Sequence, residues 1–207
     1  DNRMLTLASN ERIPLLPHMK MIFEIRDLVY ATPATTSRAG IIYISVDDGT
    51  RSLIAAWVQK QEVADHVKET LSALMTLYAN GSLDYIRKNI VPLIPIEQTN
   101  MVSSLLYMLN TLITPEMTGA PDAKEAQKKL EATFVFCSVW AFGSFLAERD
   151  GIDYRKQFSD WWKGEFKAVK FPSRETVFDY YLDPATDKLD LWKNSPYFYS
   201  VVARFYR

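Results

Sequence analysis

The stretch FVFCSVWAFGSFL, residues 134–146, decides what kind of chain this is. It is apolar on every face, yet its thirteen residues fall short of the ~20 that a membrane-spanning helix requires. It is therefore expected to be a helix buried at the centre of a folded core. Its helix is expected to run over residues 123–149. Upstream, Val63, Val67, Leu71, Leu74, Met75 and Tyr78 recur at helical spacing and line one face of a helix expected to end at Asn80-Gly81. Further helices are expected at 51–60, 83–90 and 97–114, separated by loops at Pro92, Pro95, Pro115 and the Gly119-Ala120-Pro121 run. Downstream, residues 154–169 place Phe158, Trp161, Trp162 and Phe166 where they can bury an aromatic face, and Lys170-Phe171-Pro172 stops that helix. Trp161 and Trp162 point about 100° apart, so they cannot share one face, and core packing is the default for the pair. Two short strands follow at 177–182 and 188–192, joined by Asp183-Pro184 turn chemistry, before a final short helix or strand.

The first forty-six residues follow a different grammar. Runs rich in β-formers at 4–7, 12–15, 19–25 and 41–46 read as strands, the first two forming a hairpin around Ser9, Asn10 and Glu11. Thr32-Pro33 marks a short helix, with threonine as cap and proline at the first helical position, and Gly40 turns the chain toward the next strand. The grammar changes near Gly49. The fold class expected is mainly α with a small β-rich N-terminal part, residues 1–49 preceding a helical body over 50–207.

Charge and chemistry narrow the functions. With 24 Lys plus Arg against 25 Asp plus Glu, a net charge of −1 carries no footprint of a nucleic-acid binder or an anionic-membrane binder. Cys137, His18 and His66 supply no thiolate or imidazole cluster for zinc and no disulfide, so no metal site is expected and the cytosol is the natural compartment. Cys137 has no basic neighbour in sequence and reads as an inert core thiol, and both histidines read as structural or solvated. None of the seven glycines sits in a G-x-x-x-x-G-K-[ST] run, and neither a nucleophile elbow nor a triad is visible. The opening DNRMLTLASNER lacks a signal-peptide core, and the chain is expected to be an excerpt from a longer polypeptide.

Residue identities go further in ERIPLLPHMKMIFEIRDLVYATPATTSRAGIIYI, residues 11–44. This stretch resembles the end of the large subdomain of an AAA+ module in a dynein heavy chain. There a strand with F-E-x-x-D-L leads to A-[TS]-P-A-T-V-S-R-[AC]-G. Phe23, Glu24, Asp27, Leu28, Ala31, Thr32, Pro33, Ala34, Thr35, Ser37, Arg38, Ala39 and Gly40 match, and Thr36 replaces the usual valine. The likeness continues through FVFCSVWAFGS (134–144), YRKQFSDWWKGEFKAVKFPS (154–173) and TVFDYYLDPATDKLDLW (176–192), which are similar to the lid of the second AAA+ module of axonemal, outer-arm β-type heavy chains. One departure follows Tyr43-Ile44, where the family continues with Asn-Pro and a Leu-Gly-Trp turn and this chain has Ser45-Val46-Asp47-Asp48-Gly49-Thr50.

The resemblance implies a truncated large subdomain followed by a helical lid, with the Walker segments outside this chain. The excerpt would then hold no cofactor and have no activity alone, whereas the parent motor would hydrolyse ATP with Mg and move along microtubules. Partners implied are neighbouring AAA+ modules of the same heavy chain, dynein intermediate and light chains, and microtubules, with neither nucleic acid nor membrane. The implied location is the cytoplasm and cytoskeleton, in the axoneme of a cilium or flagellum. Arg38 is implied to be an arginine finger acting in trans on ATP held by the preceding module. Glu24 and Asp27 are sensor-like candidates at the end of a strand. The plainer alternatives are that Arg38 pairs with a surface carboxylate, that Asp27 caps the following short helix, and that Glu24 forms an ion pair. A non-catalytic helical protein-interaction module is the alternative for the whole chain.

Overall fold

Asn10 adopts a φ of 67°, a left-handed conformation that asparagine tolerates better than most residues, and it reverses the chain between two short strands. The computed structural model describes residues 4–44, 46–119 and 123–196. β1 (Met4–Thr6) pairs antiparallel with β2 (Arg12–Pro14), with Leu5 opposite Ile13. The expected hairpin is present. So is the short helix, α1 (Pro33–Arg38): Thr32 Oγ1 accepts from the Thr35 N–H at 3.2 Å, and Pro33 occupies the first turn, where its missing N–H costs nothing.

The two other expected strands, at 19–25 and 41–46, do not form. Residues 19–25 and 41–44 are irregular, residue 45 lies outside the described residues, and Val46 opens a helix instead. A strand exists by virtue of its ladder, and no described segment pairs with either run. Their apolar side chains stand in solvent, Ile22 at 96%, Phe23 at 79% and Tyr43 at 87% of full exposure. The chain divides into two compact units, Asp1–Tyr43 and Ile44–Arg207. Among the described residues, none in the first unit is buried.

The second unit is helical. α2 (Val46–Lys60) starts before the expected residue 51. α3 (Asp65–Leu74) runs without a break through a π-helical turn, Met75–Asn80, into α4 (Gly81–Asn89), so the expected stop at Asn80-Gly81 is not one. Gly81 is right-handed helical, with φ −59° and ψ −44°, and serves close packing: a Cβ there would lie 3.2 Å from Phe166 Cζ. α5 (Gln98–Leu112) and α6 (Pro115–Gly119) follow.

α7 (Ala123–Gly143) carries the apolar stretch and packs against α5, α6 and the C-terminal strands. Phe134, Val135, Cys137, Val139 and Phe142 are buried, as a central core helix requires, while Trp140 is only half-buried between Phe136, Phe178 and Trp192. The helix stops at Gly143, short of the expected residue 149. The chain instead forms a hairpin, β3 (Glu148–Arg149) with β4 (Ile152–Asp153), around Asp150 at φ 53° and Gly151 at φ 78°. Two consecutive positive φ values make the hairpin turn that Asp-Gly favours.

α8 (Tyr154–Glu165) begins where Asp153 Oδ1 accepts from the Lys156 N–H at 3.0 Å, and ends before the expected residue 169. A single 3₁₀ turn, Val177–Asp179, precedes β5 (Tyr180–Asp183), which pairs antiparallel with β6 (Lys188–Leu191). A second 3₁₀ turn, Trp192–Asn194, follows β6, and residues 197–207 lie outside the described ones. Trp162 stacks on Tyr78 at 5.9 Å between ring centres, and Trp161 on Tyr85 at 4.0 Å. Both tryptophans are thus used inside the unit, one buried and one half-buried.

Candidate functional site

Thr32, Pro33 and the hydroxyls of α1 give Arg38 a defined place. Thr36 Oγ1 donates to the Pro33 carbonyl at 3.0 Å and Ser37 Oγ to the Ala34 carbonyl at 3.2 Å, so the short helix satisfies its own polar side chains. Arg38 closes the helix, where a cation suits the negative end of the dipole. It is exposed, and among the described residues it forms no ion pair. A guanidinium placed like this keeps its planar fork of donors available for a carboxylate or phosphate.

Glu24 and Asp27 are exposed and lie in irregular chain, not on a strand. Asp27 Oδ1 accepts from the Val29 N–H at 3.2 Å, a local turn, while the cap of α1 is Thr32 and not Asp27. No ion pair or side-chain hydrogen bond joins Arg38, Glu24 and Asp27 to one another among the described residues. No group of three or more His, Cys, Asp or Glu side chains comes together among them either. His18 and His66 are exposed. Cys137 is buried in α7, and burial pushes its thiol up to about 12, so the nucleophilic thiolate is suppressed. Among the described residues no helix is long and apolar enough to cross a membrane.

A second constellation was not singled out from the sequence. Phe166, Val169 and Phe171 floor a groove of about 420 Å³ rimmed by Lys163, Lys167 and Lys170. Lys163 Nζ donates to the Glu175 carbonyl and lies 5.6 Å from the Phe171 ring centre and 5.9 Å from that of Tyr180. The signal available was a lysine at 163, 167 and 170 interleaved with aromatic residues.

Residues 71–194 match the family described as the dynein heavy chain AAA lid domain. The chain is 46% identical over 193 residues to the ciliary dynein beta chain of Heliocidaris crassispina and to dynein axonemal heavy chain 9 of Homo sapiens. It is 40% identical over 196 residues to the flagellar outer-arm dynein beta chain of Chlamydomonas reinhardtii. These alignments cover 93–94% of this chain and 4% of each relative. Both the helical body and the match across it lead to one assignment: the chain belongs to the dynein heavy chain AAA lid family.

Proposed function

We propose that this chain is part of an axonemal dynein heavy chain, the end of the large subdomain and the lid of its second AAA+ module, in a motor that moves along microtubules in cilia or flagella. The parent couples ATP binding and hydrolysis to that movement; its partners are neighbouring modules of the same heavy chain, intermediate and light chains, and microtubules. The observation that carries the reading is the match of residues 71–194 to the lid family together with identity reaching through the N-terminal unit. Exposed apolar runs at 22–25 and 41–44 support it, because such side chains are normally covered by a sheet, and the rest of a longer polypeptide can supply one.

ATP and Mg belong to the parent motor in this reading, since the sequence carries no G-x-x-x-x-G-K-[ST] run to cradle phosphates. What this chain offers a nucleotide held by a neighbouring module is Arg38. Its exposed guanidinium binds phosphate oxygens through two parallel N–H donors and stabilises charge as it develops there. Arg38→Ala in the full motor lowers microtubule-stimulated ATP turnover, by roughly 10³-fold if the side chain acts as fingers do in GTPases. Arg38→Lys keeps the charge, loses the fork and does not rescue turnover. ATP affinity falls less than turnover. Wild-type turnover in Arg38→Ala would falsify the finger assignment. A drop in the melting temperature of the 207-residue chain carrying the same change would point to a structural role instead.

A further inference from the structure

We propose that the groove at the end of α8, floored by Phe166, Val169 and Phe171 and rimmed by Lys163, Lys167 and Lys170, docks an acidic segment of a partner polypeptide carrying a bulky apolar side chain. The charge of this region departs from that of the chain. Lys163, Lys167 and Lys170 line the groove, Arg174 follows them in sequence, and no carboxylate is among the lining residues, whereas the whole chain has a net charge of −1. Three salt bridges occur among the described residues, and none uses these four cations. Lys163 gives one N–H to the Glu175 carbonyl, which leaves two donors for a ligand.

The floor adds the second half of the complementarity. Phe166 is buried and packed against Tyr78, Trp161 and Trp162, and Phe171 lies against Tyr180 at 5.1 Å, so the walls are held from behind and do not have to order on binding. A volume of about 420 Å³ admits a leucine- or phenylalanine-sized side chain. Backbone geometry assists: after α8 the chain runs irregularly from Lys167 to Glu175, and that segment is crossed by the Ser173 N–H and hydroxyl bonding Tyr180 Oη at 3.2 and 2.7 Å. An apolar floor with a cationic rim selects an acidic peptide with one apolar anchor over a bare polyanion, which would leave the floor wet.

This inference does not depend on the role of Arg38. The test uses the 207-residue chain and a short fluorescein-labelled peptide of Glu and Asp with one central Leu, read by fluorescence anisotropy. Saturable binding that weakens with salt is expected, falling about tenfold in the Lys167→Glu, Lys170→Glu double variant, with an unchanged melting temperature. The milder Lys167→Gln, whose head group is exposed, should lose affinity by a smaller factor and guards against a folding defect. Replacing the central Leu by Ser should weaken binding several-fold. Absence of saturable binding, equal affinity in the double variant, or equal competition by a single-stranded oligonucleotide would each overturn the proposal, the last in favour of a nucleic-acid site.

Discussion

Cys137 and Tyr78 show how burial alone sets side-chain chemistry in this fold. The Cys137 thiol, ordinarily near 9.0, is pushed up to about 12 by desolvation within α7. Tyr78 is likewise raised, first by burial and then by the Glu131 carboxylate, to which its hydroxyl donates at 2.9 Å. Both groups hold their protons more tightly folded than unfolded. The stability they contribute is intact below their unfolded values and is lost as pH rises, for Cys137 across about 9 to 12. Urea midpoints should therefore decline from pH 9 upward, and the decline should be shallower in Cys137→Ala, although that variant starts from a lower stability. An identical slope in both proteins would assign the alkaline transition to other groups. At neutral pH the thiol should resist alkylation until the chain is unfolded, which a maleimide reaction with and without urea would show.

At the scale of elements, glycines decide where helices approach aromatic rings. α7 ends at Gly143, and a Cβ built there would lie 2.4 Å from Phe178 Cε1 and 2.5 Å from Cζ. Phe178 has little freedom to yield, because its ring stacks on Phe158 at 6.0 Å, meets Trp140 edge-on at 5.9 Å and carries the Arg155 guanidinium at 4.5 Å. Alanine would gain up to ~1 kcal/mol of helix propensity. Overpacking costs ~1 to 3 kcal/mol, so Gly143→Ala should destabilise the chain on balance. Combining it with Phe178→Leu should recover part of the loss, since the two changes share one space. Additive melting-temperature losses in the double variant would show that Phe178 is not the obstacle. Gly81 performs a related service against Phe166, with a looser approach of 3.2 Å.

Taken as a whole molecule, the chain joins one unit with a dense core to another in which no described residue is buried. Amide exchange should follow that division. Backbone amides of Phe134, Val135 and Phe142 in α7 should exchange only through global unfolding, while those of residues 20–28 should exchange near solvent rates, because few of them are hydrogen-bonded. In the full heavy chain the same 20–28 segment should become protected if a sheet from the rest of the polypeptide covers it. Fast exchange there in both settings would count against the large-subdomain reading. Limited proteolysis offers a second measure, with first cuts expected within 20–28 and not within α3 or α4.

What the sequence determined by itself was set by short-range physics. Helical spacing of apolar and aromatic residues marked α3 and α8, and a run apolar on every face marked α7. Thr32-Pro33 marked α1 through a cap and a preset φ, and Asn10 and Asp183-Pro184 marked two hairpins through turn chemistry. The residues matched between Phe23 and Gly40, with the stretches 134–144, 154–173 and 176–192, pointed to the family, because residue identity in order carries more information than polarity. Asp150-Gly151 is equally readable as a turn, yet the expected helix runs up to residue 149 instead of leaving room for the hairpin around it. The remaining outcomes depended on partners distant in sequence. Asn80-Gly81 has the composition of a helix stop, but Phe166 comes to Gly81 from across the fold, and the Tyr78 ring is held by Trp162. Residues 19–25 have strand composition, but a strand requires a neighbouring ladder, and no described segment provides one. The lysine-rimmed groove exists only because Phe166 and Phe171 are held by rings from α3–α4 and β5. Local propensity can specify a turn or a helical face, whereas continuation, pairing and concavity are decided by which surfaces the tertiary structure brings into contact.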